Sequence, residues 1–196
     1  MHSQTLALDF RALQHAQRRH DELAHRDVLE LSTQRRVTHF TLHFAKYAGA
    51  LLVARRSGDR LLTARIITDS LIIALASANS LGIELQRTLG EDAEHANSWR
   101  DETEGSAIWL LRYVEVVGEM AKACEAFDHA LERYPSFEVL KRAVTSLTRV
   151  ILLCAASDGV DIATSVADRW GFVEAKVKIS AEAAPQNRPA SVSAAA

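Results

Sequence analysis

Apolar positions along the chain recur every three to four residues, and no stretch alternates strictly between apolar and polar, so the pattern predicts helices and no sheet. The segment 66–83, IITDSLIIALASANSLGI, sets the frame. Apolar or small side chains fall on every face of it, Asp69 is its only charge, and no Gly or Pro interrupts it before Gly82. That predicts a helix from about Leu61, buried almost all round at the centre of a bundle, whose regular pattern Gly82 ends before a shorter continuation from Ile83. Residues 5–30 read as a polar amphipathic helix with Leu6, Phe10, Leu13, Ala16, Leu23 and Val28 near one stripe. His15, His20 and His25 are spaced five apart, share no face and read as surface residues. Ser32-Thr33 offers an N-cap to a helix over 34–56, whose apolar side carries Val37, Phe40, Phe44, Ala48 and Leu51 and which Ser57-Gly58-Asp59 closes. Residues 90–105 are acidic and polar and read as a connection or a short polar helix. Helices follow over about 106–132, 137–157 and 161–178, and the Ala-, Ser- and Pro-containing residues 180–196 read as a disordered tail.

These elements make one all-α domain over 1–179, long enough to bury a core without staples. The formal net charge of −2 supplies no basic field, so neither nucleic acid nor an anionic membrane surface is an expected partner. Asp69 and the Thr, Ser and Asn residues around it argue against a membrane helix. Cys124 and Cys154 stand in separate apolar helices with no second ligand at metal spacing, so they read as core thiols of a reducing compartment. The first residues carry no basic stretch followed by an apolar run, and a cytoplasmic location is expected.

Sliding the chain against itself brings out a duplication. HFTLHFAK, with His39, His43 and Lys46, matches EVVGEMAK, with Glu115, Glu119 and Lys122, at an offset of 76. Asp69 precedes Gly82 in SLGIEL as Ser146 precedes Gly159 in SDGVDI, at an offset of 77. The expectation is two helical hairpins, about 34–89 and 106–170, packed as pseudo-twofold halves of a four-helix core with N- and C-terminal helices flanking it.

Chemistry concentrates at the matching positions. An ionised Asp69 inside a buried helix needs a cation, a metal or several donors, and Arg65 one turn back is the nearest cation in sequence. Glu115 and Glu119 share a face and repel unless offset, either by a ladder of Arg112 and Lys122 or by a hard cation such as Mg²⁺ or Mn²⁺. His39 and His43, also four apart, suit Zn²⁺ or another transition ion with Asp69 as a third ligand, or else imidazoles hydrogen-bonded at the edge of the core.

LLRYVEVVGEMAKAC, VILLCAASDGVDIATSVADRW and DSLIIALASANSLGIEL together resemble the all-α nucleoside triphosphate pyrophosphohydrolases, the MazG-like family, over most of residues 30–176. The resemblance implies metal-dependent hydrolysis of a nucleotide to its monophosphate and pyrophosphate. Glu115 and Glu119 would be the catalytic metal ligands, Asp69 would complete a site, and Lys46, Lys122 and Arg169 would meet the phosphorylated substrate. The acidic motifs depart from the family's pattern. Val116 replaces the middle acid of Glu-Glu-x-x-Glu, the first half holds His39, Phe40 and His43 there, and at Glu-x-x-Asp the halves hold Ile66 with Asp69 and Ala143 with Ser146. A second reading is therefore a catalytically degenerate homologue that binds a nucleotide or a transition metal through His39, His43 and Asp69 as a regulatory or structural partner. A third is a purely structural bundle, and a homodimer is compatible with each.

Overall fold

The computed structural model of the protein describes residues 8–91, 106–129 and 133–183, and among them every regular element is helical. The elements are α1 (Phe10–Ala24), α2 (Arg26–Leu29), α3 (Thr33–Ser57), α4 (Arg60–Leu81), α5 (Leu85–Glu91), α6 (Ser106–Glu125) with a 3₁₀ turn at Ala126–Asp128, α7 (Ser136–Ser157) and α8 (Ile162–Ala183). Side-chain oxygens start several of them as capping physics requires. Asp9 accepts from the Ala12 amide at 3.0 Å, Ser32 from Arg35 at 3.4 Å and Asp59 from Leu62 at 2.9 Å.

Two boundaries differ from the sequence expectation and one agrees with it. The helix expected over 5–30 is two, because the backbone leaves helical geometry at His25 (φ −137°, ψ 38°) and the short α2 turns the chain toward α3. Arg36 fixes that turn by donating to the carbonyls of Leu29 and Leu31. The central helix stops at Leu81 as expected, with Gly82 left-handed at φ 66°. Helix α8 runs to Ala183, past the expected end at 178, so helical backbone covers the first residues of the expected tail; 184–196 and the acidic connection 92–105 lie outside the described residues.

α3, α4, α7 and α6 pack in a ring, each against the next, with α1 and α8 laid on α4 and on each other. α4 is the axis: Ile66, Ile67, Leu71, Ala74, Leu75 and Ala78 are buried among its neighbours. By length and composition it is apolar enough to cross a membrane, as α7 and α8 are when taken as one sharply bent pair, but most of α4 is inside the bundle. Buried hydroxyls are satisfied at short range, since Thr41, Thr63, Thr68, Ser77, Thr145 and Thr148 each donate to the carbonyl four residues back. Ser70 and Tyr113 bond across the helices at 3.0 Å. Thr41 lies 3.4 Å from Cys124, near the start of α3 and the end of α6, so these two helices run antiparallel.

Burial follows the offsets found in the sequence. Val37, Thr41 and Phe44 are buried, as are Tyr113, Val117 and Met120; Ile66, Ile67, Leu71 and Ala74 are buried, as are Ala143, Val144, Thr148 and Ile151. Both hairpins close alike, the Ile83 amide reaching the Ala78 carbonyl at 2.9 Å and the Val160 amide the Ala155 carbonyl at 2.8 Å. The same closure follows Gly58, where the Asp59 amide reaches Ala54, so the cap by itself does not mark a copy. Two amphipathic hairpins packed about one axis require this register whatever their origin.

Phe44 is fully buried between the hairpins, its ring 6.4 Å from that of Tyr113. Phe44→Ala should cost about 3–5 kcal/mol, read as a lowered urea midpoint, whereas Leu23→Ala on the exposed side of α1 should stay within about 0.5 kcal/mol.

Candidate functional site

One turn of α1 carries three buried polar side chains, Gln17, His20 and Asp21, turned toward α4 and α8. Their satisfaction depends on α8. The Trp170 indole donates to Gln17 Oε1 at 2.8 Å, the Gln17 amide donates to Asp21 Oδ1 at 2.7 Å, and Glu174 Oε1 lies 3.1 Å from His20 Nδ1. The surface placement expected for the α1 histidines is thus wrong for His20, which is 3% exposed in its side chain, and right for His15 and His25. His25 stands at the helix break with its ring edge 5.4 Å from that of His20. No apolar spacing flags Gln17, His20 and Asp21, because the partners of Gln17 and His20 on α8 lie more than 150 residues away; Gln17 with Asp21 and Trp170 with Glu174, each four apart, are the local hints.

Behind this chain a cavity of about 70 Å³ opens between α1, α2, α3 and α4. Its polar wall is Gln17, Asp21, His25, His39 and His43, and its apolar wall includes Val28, Phe40, Ile72 and Ala76. His39 and His43 project from successive turns of α3 with ring centroids 4.6 Å apart. Lys46 Nζ sits 3.3 Å from His43 Nδ1 and lies over the Tyr47 ring at 4.6 Å. Burial foremost, then the positive charge of Lys46 and the neighbouring His39, hold the His43 imidazole down at about 4. Burial and His20 lower His25 as well. Burial pushes the Asp21 carboxyl up to about 6 against the opposing pull of Gln17. At neutral pH the imidazole of His43 is therefore uncharged, and the Asp21 carboxyl, although raised, titrates below neutrality.

Asp69 finds its cation on α8: Arg169 Nε lies 2.7 Å from Oδ1, while Arg65, the sequence neighbour, stands at 3.9 Å. With its side chain only 14% exposed, Asp69 is held by this pair rather than left open. Its charge reaches Tyr47, whose phenol is pushed up to about 12 by burial first and by Asp69 second. Arg169, expected to meet substrate, is occupied in holding Asp69.

Glu115 and Glu119 take the other course. Both are exposed on α6; Glu115 pairs with Arg112 at 3.0 Å with its side chain 61% exposed, and Lys122 pairs with Glu125 at 3.3 Å. Among the described residues no group of three His, Cys, Asp or Glu side chains is placed to hold a metal ion. The structure thus brings His39, His43 and Lys46 together beside the α1 cavity, sets Asp69 with Arg169 nearby, and leaves Glu115 and Glu119 outside that group. No family model, curated protein or solved structure matches the chain.

The donor chemistry gives a test of the expected Mg²⁺ or Mn²⁺. A hard dication wants several carboxylate oxygens in one place, and Asp69 neutralised by Arg169 with Glu115 paired to Arg112 does not offer them. Cys124 and Cys154 are buried free thiols, and burial pushes that of Cys154 up to about 11, so neither is a poised nucleophile or ligand.

Two outcomes follow. The Asp21 contribution is fully stabilising below the unfolded value of 3.8 and is lost as pH rises through about 6, whereas the His43 contribution is fully present above 6.5 and is lost as pH falls through about 4. Between these limits the two slopes oppose. Asp21→Asn should leave stability rising more steeply with pH there, with a gain at neutral pH of at most roughly 3 kcal/mol at about 1.4 kcal/mol per pH unit; urea midpoints measured across that range check it. Arg169→Met, which strands Asp69, should cost about 2–3 kcal/mol, and Asp69→Asn added to it should recover most of the loss.

Proposed function

We propose that this chain acts by binding rather than by turnover: a catalytically degenerate, MazG-like bundle whose histidine cavity takes a borderline transition-metal ion such as Zn²⁺, Ni²⁺ or Co²⁺ in a regulatory or structural role. The observation that carries this reading is the sharing of one partly open cavity by His25, His39, His43 and Asp21. His39 and His43, four apart on one helix, supply two nitrogen donors from a single rigid element. A third donor, His25 from the helix break or Asp21 from α1, enters by side-chain rotation. The depressed basicity of His43 favours the unprotonated imidazole that a metal needs. The apolar wall formed by Phe40 and Ile72 excludes competing water. Two unpaired thiols agree with a reducing compartment such as the cytoplasm.

Pyrophosphohydrolase activity asks for a shared ion between Glu115, Glu119 and Asp69, and the separate ion pairs of Glu115 with Arg112 and of Asp69 with Arg169 speak against that arrangement. The experiment runs both readings side by side. Zn²⁺ or Ni²⁺ should raise the melting temperature, by about 2.7 kcal/mol of stability at a hundredfold excess over the dissociation constant. Bound Co²⁺ should show the visible absorption of a nitrogen-ligated site, and His43→Ala should abolish both signals. Absence of any metal-dependent shift defeats the proposal. So does pyrophosphate release from nucleoside triphosphates with Mg²⁺ that disappears in Glu119→Gln.

A further inference from the structure

The outer face of the layer formed by α3 and α6 carries large apolar side chains in open solvent. Leu42 is 66% and Leu111 59% exposed, and Leu52, Val53 and Val114 are exposed with them, on two helices packed side by side. Scattered exposed leucines need no explanation, but several gathered on one face of neighbouring helices mark a contact surface. Between them lie Gly49 and Gly118, where an added Cβ would meet nothing within 4 Å, so another helix can approach the backbone closely. Two adjacent helices about 30 Å long and about 10 Å apart present a face on the order of the ~800 Å² that each partner contributes to a specific interface.

Charge identifies what covers it. α3 contains no Asp or Glu and exposes Arg35, Lys46 and Arg56, whereas α6 exposes Glu115, Glu119 and Glu125; Arg112 and Lys122 pair with Glu115 and Glu125, which leaves α6 acidic by one charge, at Glu119. A face with one cationic and one acidic helix running antiparallel is complementary to itself when turned over about an axis parallel to the helices. That rotation lays α3 of one copy on α6 of the other and keeps every residue at its own height along the bundle. Thr41 is level with Cys124 within the chain, so counting along the two opposed directions sets Lys46 level with Glu119. In the pair of copies those two side chains meet at the rim, twice. The alternative rotation sets α3 against α3 and opposes like charges.

We infer that the α3/α6 face is the interface of a twofold homodimer in which α3 of each copy packs antiparallel on α6 of the other. The inference uses none of the proposed metal ligands, which face the α1 side of α3, although Lys46 at its rim lies 3.3 Å from His43. Sedimentation equilibrium of the full chain at micromolar concentration should give twice the 21.6 kDa chain mass. Leu42→Glu and Val114→Glu, both at exposed positions, should each give a monomer with unchanged helical circular dichroism. Lys46→Glu and Glu119→Lys should each weaken the dimer by roughly tenfold, and the two together should restore it, since rim charges set orientation and register. A monomeric wild-type chain, or a dimer that survives both Glu substitutions, overturns the interface. A charge exchange that fails to restore the singly weakened dimer overturns the α3-on-α6 pairing.

Discussion

The ion pair between Asp69 and Arg169 is the contact on which the arrangement of the outer helices turns. A carboxylate placed in the midst of a nearly all-apolar helix is unfavourable by several kcal/mol unless a cation reaches it. Arg65 on the same helix reaches only to 3.9 Å, so the closer partner comes from α8, at the far end of the chain. Once α8 is drawn across α4 by Arg169, the next residue, Trp170, falls beside α1 and donates to Gln17. One turn later Glu174 reaches His20. The buried polar stripe of α1 thus takes its partners from α8, which Arg169 ties to Asp69 on α4, while Gln14 bonds α1 directly to Asn79 and to the backbone of Ile83 and Leu85. Ion pair, indole bond and histidine contact act as one unit, and their effects should not add independently.

This arrangement also breaks the symmetry between the hairpins. The ring of α3, α4, α7 and α6 treats matching positions alike where they face the core, and the buried residues agree at offsets of 76 and 77. The outer helices lie on α4, on the first hairpin's side. His39 and His43 are thereby roofed by α1 and α2, whereas Glu115 and Glu119, at the equivalent helical positions, stay in water. Chemistry tracks that difference. Imidazoles tolerate desolvation by giving up a proton, but two carboxylates on adjacent turns are stable in solvent beside Arg112 and lose that stability once buried.

Much of the fold was legible because it depends on local rules. The apolar period marked the core helices, Ser32 and Asp59 marked their starts, and Gly58 and Gly82 their ends, each to within a few residues. The break at His25 was not legible, since the residues around it are ordinary helix formers and the turn is held from Arg36, on the next long helix. The site was half legible. Asp69 advertised its need for a partner, and the His39 and His43 spacing put both on one face, but the burial of Gln17, His20 and Asp21 follows from α8 and has no short-range signature. For Glu115 and Glu119 the spacing fitted a metal pair and a solvated ladder equally, and only the outward orientation of that side of α6 separates them.

The cavity's electrostatics bear on what it can hold. Burial disfavours charge on both kinds of group there, raising Asp21 and lowering His43, so the resting cavity tends toward neutrality. A neutral organic guest would find few uncommitted donors in a space of about 70 Å³, which is the room of a very few water molecules. An anion would meet a carboxyl and unprotonated imidazoles. A dication meets the lone pair of the His43 imidazole, already free of its proton, and supplies the buried Asp21 carboxylate with the counter-charge it lacks. The same burial that makes an ionised Asp21 costly alone makes its attraction to a dication stronger than it would be in water.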